Sequence, residues 1–231
     1  EGLENLSPPD DDECNTLARL GHADNTRMAC KARIRQGQVT IALVPDKRLV
    51  MATATSAKFD ATIQHVVVVG NGIAGVTAAD HLRRRHPVCR ITVVADENHH
   101  LYNRMAITRL VYGRWAMQGL YLMPESWYSD RNIEVMLNTA VRAVNPPNHE
   151  IMLADGETLH YDRLIFATGS NSFVPPLPGY GGDGCYVLRS ADDAMDVRSY
   201  AQSSAARHAV VAGGGLLGLE AAYALHKLGL Q

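Results

Sequence analysis

Two glycine-rich turns offer the clearest chemistry in this chain of 231 residues. The first contains Gly70, Gly72 and Gly75 in G-x-G-x-x-G spacing, directly after the valine run 66–69. In such a turn one glycine makes the bend, one lets the backbone approach a pyrophosphate, and one lets a helix pack closely. The amides at the start of the following helix then face the phosphates. The spacing predicts a dinucleotide site, although many glycine-rich turns bind no ligand.

An acidic pair follows the next predicted strand. The run 91–95 (ITVVA) is apolar and rich in β-branched residues, and it ends in Asp96 and Glu97. Such a run is typical of a strand buried on both faces of a parallel sheet. The pair lies about 20 positions after the glycines, where an acidic side chain meets a ribose hydroxyl. This context favours dinucleotide binding over an empty turn.

The opening pattern returns near the end of the chain. Gly213, Gly215 and Gly218 have the same spacing, after a predicted strand that begins at Ala209 and before a predicted helix. Two units of strand, glycine turn and helix are more specific than either unit alone. They predict an α/β protein with a Rossmann-like fold that binds two nucleotides.

Composition excludes several classes of function. The formal net charge is -2, so no nucleic-acid partner is expected. No apolar run approaches the roughly 20 residues that cross a bilayer, and the acidic start is unlike a signal peptide. We therefore expect no membrane partner and a cytoplasmic location. The four cysteines lack CxxC spacing, which argues against a redox disulfide and a zinc ribbon.

The segment after the acidic pair carries a family resemblance. It contains the phrase Tyr102-Asn103-Arg104 and the pair Thr108-Arg109. These match the FAD segment of flavoprotein reductases built on the glutathione-reductase plan, the pyridine nucleotide-disulfide reductase superfamily. The chain resembles most the flavin part of NAD(P)H-nitrite reductase large subunits and the rubredoxin and ferredoxin reductases. The resemblance implies a three-layer ββα arrangement and covers residues 64–231.

The resemblance also implies the cofactor-binding residues, and it implies no dedicated catalytic acid or base. In the family an Ala-Thr-Gly turn approaches the flavin nucleotide, and one main-chain group faces the adenine. The implied FAD site comprises Gly70, Gly72, Ile73, Ala74, Gly75, Asp96, Glu97, Arg104, Arg109, Val141, Ala167, Thr168 and Gly169. The implied NAD(P)H site comprises Gly213, Gly215, Gly218 and Glu220.

The beginning of the chain resembles a different family. Residues 26–34 (TRMACKARI), followed by a predicted strand at 38–44, are similar to the last third of a [2Fe-2S] ferredoxin of the β-grasp fold. Cys30 matches the fourth cluster ligand of that family, and the other three ligands would precede Glu1. The alternative is a buried cysteine in a small β-rich cap.

These patterns predict four parts: the end of a ferredoxin-like domain (1–50), a linker (51–63), an FAD-binding domain (64–182) and the start of an NAD(P)-binding domain (183–231). The chain begins without methionine and ends inside an apparent helix, so we expect a sequence cut at both ends and inactive alone.

The predicted function is an FAD-dependent oxidoreductase. It would pass electrons from NAD(P)H through FAD to a one-electron carrier, an iron-sulfur group or haem. The expected partner is a small electron-carrier protein or a fused redox domain. The alternative is a flavin-binding module with a structural or signalling role and no turnover. The patterns do not choose between NADH and NADPH, nor name the final acceptor.

Overall fold

The computed structural model divides into two compact units, Glu1–Ala54 and Thr55–Gln231. It describes residues 3–19, 26–28, 31–39, 59–113, 116–204 and 206–231. Three predictions fall wholly or mainly outside these residues: the ligand Cys30, the strand at 38–44 and the linker at 51–63.

In the first unit, a buried ion pair joins a helix to the segment that precedes Cys30. Helix α1 spans Asp11–Arg19 and carries Glu13, whose side chain is only 1% exposed. Its carboxylate accepts two hydrogen bonds from Arg27, at 2.8 and 2.9 Å, and one from the amide of Met28 at 2.7 Å. The Arg27 guanidinium lowers the pKa of Glu13. This pair fixes residues 26–28 against α1.

Seven strands are described in the second unit: β1 His65–Val69, β2 Arg90–Val94, β3 Glu134–Met136, β4 Val141–Asn145, β5 Glu150–Leu153, β6 Thr158–His160 and β7 Arg163–Phe166. A parallel sheet has the order β3-β2-β1-β7, and an antiparallel sheet has the order β4-β5-β6. The valine run therefore lies in β1, between two hydrogen-bonded neighbours, as a strand buried on both faces should.

The helices described in this unit are α2 Ile73–Arg85, α3 Thr108–Val111, α4 Ser126–Ser129, α5 Ala191–Ser203 and α6 Leu216–Leu228. Single 3₁₀ turns lie at Arg104–Ala106, Met117–Gly119 and Pro146–Asn148. No helix among the described residues is long and apolar enough to cross a membrane.

The alternating valines of β1 separate two apolar cores. Val66 and Val68 pack with Val76 of α2, on one face of the parallel sheet. Val67 and Val69 face the other way, into a core that includes Ile151 of β5. Helix, parallel sheet and antiparallel sheet therefore form three layers, and the predicted ββα Rossmann-like arrangement is confirmed.

Arg83 closes the end of α2 against the strands. Its guanidinium donates hydrogen bonds to the backbone carbonyls of His86, Pro87, Cys89, Arg131 and Asn132. These carbonyls belong to the entry into β2 and the loop before β3. The Arg83 side chain thus provides hydrogen-bond donors to carbonyls in both the segment before β2 and the loop before β3.

A third core joins α3, α5 and α6. Ala191 and Ala194 of α5 and Ala224 of α6 are completely buried in it, together with Leu110 and Val111 of α3. Alanine leaves little side-chain volume between neighbouring helices, so their backbones can approach closely. The last two helices are therefore packed against α3.

The strand predicted to begin at Ala209 is absent from the described residues, which corrects that expectation. Residues 206–215 form no strand, and the side chain of Val210 is 95% exposed. Two backbone hydrogen bonds connect this segment to the last residue of the chain. The amide of Ala209 donates to the carbonyl of Gln231, and the amide of Gln231 donates to the carbonyl of Arg207. A strand requires a hydrogen-bonded neighbour along its length, and none pairs with 210–212 in the part of the chain described.

Candidate cofactor site

The first glycine turn assigns a different role to each glycine. Gly70 has a left-handed φ of +111°, and its amide donates to Val94 at 2.7 Å. A Cβ atom at Gly70 would lie 2.2 Å from the carbonyl oxygen of Ala167, and one at Gly75 would lie 1.8 Å from that of Gly70. A Cβ atom at Gly72 would have no neighbour within 4 Å. Two glycines are thus required by packing, and the middle one is open to a ligand.

The open glycine lies at the start of α2. Gly72 is the N-cap residue, and as a glycine it has no side chain that could cap the helix. Ile73 and Ala74, the first two helical residues, have exposed side chains. Amides of a first helical turn lack partners within the helix, so they are available to an anionic group such as a phosphate.

A small cavity of about 30 Å³ lies beside this helix start. It is lined by Asn71, Gly72, Ala95, Asp96, Glu97, His99, Tyr102 and Arg104. The side chain of Asp96 is exposed at the carboxyl end of β2, where a ribose hydroxyl could donate to it. An open glycine, uncapped amides and an exposed carboxylate fit the phosphate and ribose of a dinucleotide.

Glu97, the second acid, is already engaged by neighbouring side chains. Tyr102 donates its hydroxyl to Glu97 Oε2, and Arg104 donates to Oε1, both at 2.6 Å. Burial and the Glu97 carboxylate raise the pKa of Tyr102, so its hydroxyl stays protonated and remains a donor. Arg104 also donates to the carbonyl of Arg189 at 3.1 Å. The structure therefore places the two acids of the pair in different environments.

The Ala-Thr-Gly turn follows β7 and meets the first glycine turn. Ala167 donates its amide to Val69 at 2.8 Å, which holds the turn at the carboxyl edge of the sheet. Thr168 and Gly169 are exposed, and Gly169 has a φ of +68°. The turn thus presents exposed backbone beside the predicted phosphate site.

The second glycine turn repeats the geometry of the first. Gly213 has a φ of +129°, and a Cβ atom at Gly218 would lie 1.9 Å from its carbonyl oxygen. A Cβ atom at Gly215 would have no neighbour within 4 Å. Glu220 lies half-buried in α6. The turn has the shape of a nucleotide site without a strand in front of it.

The structure brings part of the predicted FAD site together at one edge of the parallel sheet: Gly70, Gly72, Gly75, Asp96, Glu97, Arg104 and Ala167. Val141 instead opens β4, opposite Leu153, and Arg109 lies in α3 with an exposed side chain. Their predicted roles remain predictions.

Sequence reasoning missed a buried polar chain behind the turn. Asn71 donates to the carbonyl of His99 at 3.1 Å and accepts the hydroxyl of Tyr128 at 2.8 Å. The Tyr128 hydroxyl in turn accepts the amide of Leu101 at 3.2 Å, and burial raises its pKa. His99 Nε2 lies 2.8 Å from a carboxylate oxygen of Asp192 in α5. Only a polar residue between two glycines hinted at this chain, because its partners are distant in sequence.

Comparisons with known proteins agree with this arrangement. The family profile described as pyridine nucleotide-disulphide oxidoreductase matches residues 64–231. The large subunit of NAD(P)H nitrite reductase from Klebsiella oxytoca is 38% identical over 168 residues, which are 72% of this chain and 17% of that protein.

Two solved structures have the same fold over a similar share of the chain. NADH:rubredoxin oxidoreductase from Clostridium acetobutylicum has a TM-score of 0.64 and 27% identity, covering 72% of this chain and 42% of that one. The covalent putidaredoxin reductase–putidaredoxin complex has a TM-score of 0.63 and 32% identity, covering 72% and 40%. The chain thus spans less than half the length of each relative. It belongs to the pyridine nucleotide-disulphide oxidoreductase family.

Proposed function

We propose that residues 64–231 bind FAD at the first glycine turn and serve an NAD(P)H-dependent flavoprotein oxidoreductase. The observation that carries this proposal is the pair of glycine turns with matching geometry, the first of which lies beside the exposed carboxylate of Asp96. Family membership and the match to a nitrite reductase large subunit support it.

Each part of the site has a separate task in this proposal. The amides after Gly72 hold the phosphates, Asp96 accepts a ribose hydroxyl, and Arg104 offsets negative charge. The Ala167–Gly169 turn lets the backbone approach the flavin nucleotide. When bound, FAD supplies a two-electron acceptor for the dihydronicotinamide and a one-electron donor for a carrier. The protein orients the reactants and excludes water, so no dedicated acid or base is required.

We infer that the electrons leave to a small electron-carrier protein or a fused redox domain. Residues 97–115, where disulfide-reducing relatives carry a cysteine pair, contain no cysteine. One of the similar structures is a complex between putidaredoxin reductase and putidaredoxin, a protein pair of the kind proposed. We propose the cytoplasm as the compartment, since Cys14, Cys89 and Cys185 are free thiols.

A flavin titration tests the first half of the proposal. The chain should bind FAD, and Asp96→Ala should weaken binding by about 1 to 3 kcal/mol, the range for a lost charge-assisted hydrogen bond. Asp183→Ala is the matched control, because Asp183 is exposed and outside the cavity lining. Unchanged affinity in Asp96→Ala would remove this residue from the site.

The exposed approach to the second turn supports a second candidate function, a flavin-binding module without turnover. Val210 is 95% exposed and its segment forms no strand, so the second nucleotide site lacks the support of the first. Anaerobic addition of NADH or NADPH to the FAD-loaded protein made from the complete reading frame separates the candidates. Rapid bleaching of the flavin absorbance supports the oxidoreductase, and no bleaching by either nucleotide supports the module.

We propose separately that Cys30 is a [2Fe-2S] ligand in the protein made from the complete reading frame. The support is the ferredoxin-like sequence around Cys30 and the ion pair that fixes residues 26–28, which precede it in the sequence. Iron and sulfide analysis should find a cluster that Cys30→Ala abolishes and Cys14→Ala retains. A full cluster in Cys30→Ala would refute the assignment.

A further inference from the structure

The Glu97 carboxylate shares its two oxygens between two different side chains. Oε2 accepts the Tyr102 hydroxyl and Oε1 accepts the Arg104 guanidinium, each at 2.6 Å. The Arg104 distance is short even for a charge-assisted N–H···O bond, and the Tyr102 distance is within the ordinary range for a hydroxyl bonded to a carboxylate. A ribose hydroxyl that bound Glu97 would therefore have to use the second lone pair of an oxygen that already accepts one of these donors.

The two donors are held from their other side by the segment that enters α5. Arg104 Nη1 donates to the carbonyl of Arg189, and the Tyr102 hydroxyl accepts the amide of Ala191, each at 3.1 Å. The Arg104 guanidinium also lies 4.9 Å from the centroid of the Tyr102 ring. Glu97, Arg189 and Tyr102 therefore fix the orientation of Arg104.

Arg104 is held beside the open glycine turn. Arg104 and Gly72 line the same cavity, so the guanidinium and the uncapped amides of α2 attract the same anionic group. A guanidinium has five N–H donors, so the two that bond to Glu97 and Arg189 leave others for a ligand. Asp96 lines the cavity too, with an exposed carboxylate suited to a hydroxyl.

We propose that Glu97 is a positioning residue, which acts through Arg104 on the phosphate part of FAD, while Asp96 alone contacts the ribose. The inference rests on the proposed function, because it requires FAD at this site. It divides the acidic pair, which the sequence leaves as two equivalent candidates, into one ligand-binding side chain and one that orients a cation.

Fragments of FAD separate the two roles. Calorimetry or competition would measure the affinities of the full chain for FAD, ADP and adenosine. Glu97→Gln should weaken the binding of FAD and of ADP by about tenfold, which is at the lower end of the range for a lost charge-assisted hydrogen bond. The affinity for adenosine should be unchanged. Asp96→Asn should weaken all three ligands by about tenfold, because the ribose is common to them. A general loss of packing would not spare adenosine.

A double variant tests whether Glu97 acts through Arg104. Glu97→Gln combined with Arg104→Gln should bind ADP no more weakly than Arg104→Gln alone, since the oriented group is already lost. If the double variant instead bound ADP more weakly than Arg104→Gln, with the two single losses of affinity multiplied, Glu97 would not act through Arg104. Thermal melting of each variant reports its folding. If Glu97→Gln fails to fold, Glu97→Asp keeps the charge on a shorter side chain and should still weaken ADP while sparing adenosine.

The outcomes for the inference and for the function are distinct. If Glu97→Gln weakens adenosine as much as ADP, Glu97 contacts the ribose and the inference fails while FAD binding stands. If the wild-type chain binds neither FAD nor ADP, the proposed function fails and the inference fails with it.

Discussion

The two glycine turns of this chain have almost the same internal geometry in very different surroundings. The third glycine approaches the first so closely that a Cβ atom would lie 1.8 Å from oxygen in one turn and 1.9 Å in the other. The first turn follows β1, which is paired on both sides. The second follows an exposed segment with no strand. The turn is thus a local structure, whereas the strand before it depends on distant partners.

The largest expected difference concerns the third glycine of each turn. Gly75→Ala should destabilise the fold by roughly 3 kcal/mol, because the new methyl group must displace backbone held by a buried strand. Gly218→Ala should cost only about 1 kcal/mol, since the exposed segment before it can shift. Urea unfolding followed by far-UV circular dichroism measures both. Equal losses would mean that the second turn is as firmly supported as the first.

Substitutions of the middle glycines, Gly72 and Gly215, should change FAD affinity and unfolding free energy independently. Gly72→Ala and Gly215→Ala should each change unfolding free energy by less than about 0.5 kcal/mol, because a Cβ atom at either position meets no neighbour. Gly72→Ala should nevertheless weaken FAD by about tenfold, as the methyl group occupies the approach to the phosphates. Gly215→Ala is the matched control and should bind FAD normally. Flavin fluorescence titration decides, and equal FAD affinity in both variants would contradict the assigned site.

The segment before the second glycine turn should be more sensitive to proteases than the strand and turn at the first. Cleavage within 206–215 should be at least about tenfold faster than cleavage within 65–75, since exposed backbone without a strand opens at little cost. Mass spectrometry of early fragments locates the cuts. The fragment that contains α6 should remain associated through the alanine-lined core. First cuts in 65–75 would reverse the comparison.

The smallest expected effect is a pH dependence from Asp162, whose carboxylate accepts the amides at the start of β1. The amides of His65 and Gln64 lower the pKa of Asp162 below its ordinary value of 3.8. The contribution of Asp162 to stability is therefore complete above the ordinary pKa and is lost as the pH falls through the lowered one. Asp162→Asn should flatten this decline, measured by urea unfolding at about pH 7, 4 and 3. An unchanged slope would assign the acid sensitivity to other carboxylates.

The local sequence pattern was sufficient to predict the strand before the first glycine turn, but it wrongly predicted a strand before the second. The valines of β1 predicted a strand buried on both faces, which β2 and β7 provide. The run at Ala209 is equally apolar, but residues 206–215 form no strand. Pairing stabilises a strand more than the intrinsic preference of its residues does, and pairing partners cannot be read from the run itself.

The partners of charged side chains were likewise not predictable from the local sequence. Spacing identified Asp96 and Glu97 as a pair, but only the positions of Tyr102 and Arg104 distinguish them. Arg83 was predictable as a basic residue suited to a helix end. Its bonds to the carbonyls of Arg131 and Asn132 required the loop before β3 to fold back onto α2.

The position of β1 in the sheet has a consequence for the order of events during synthesis. Its neighbour β7 and the carboxylate that anchors its first amide come late in the chain, with His65 and Asp162 separated by 97 residues. A ribosome adding about 5 to 20 residues per second needs roughly 5 to 20 s to make that interval. Through that time the growing chain carries a valine-rich strand with one open edge. Such an edge is a binding site for chaperones and a starting point for misassembly.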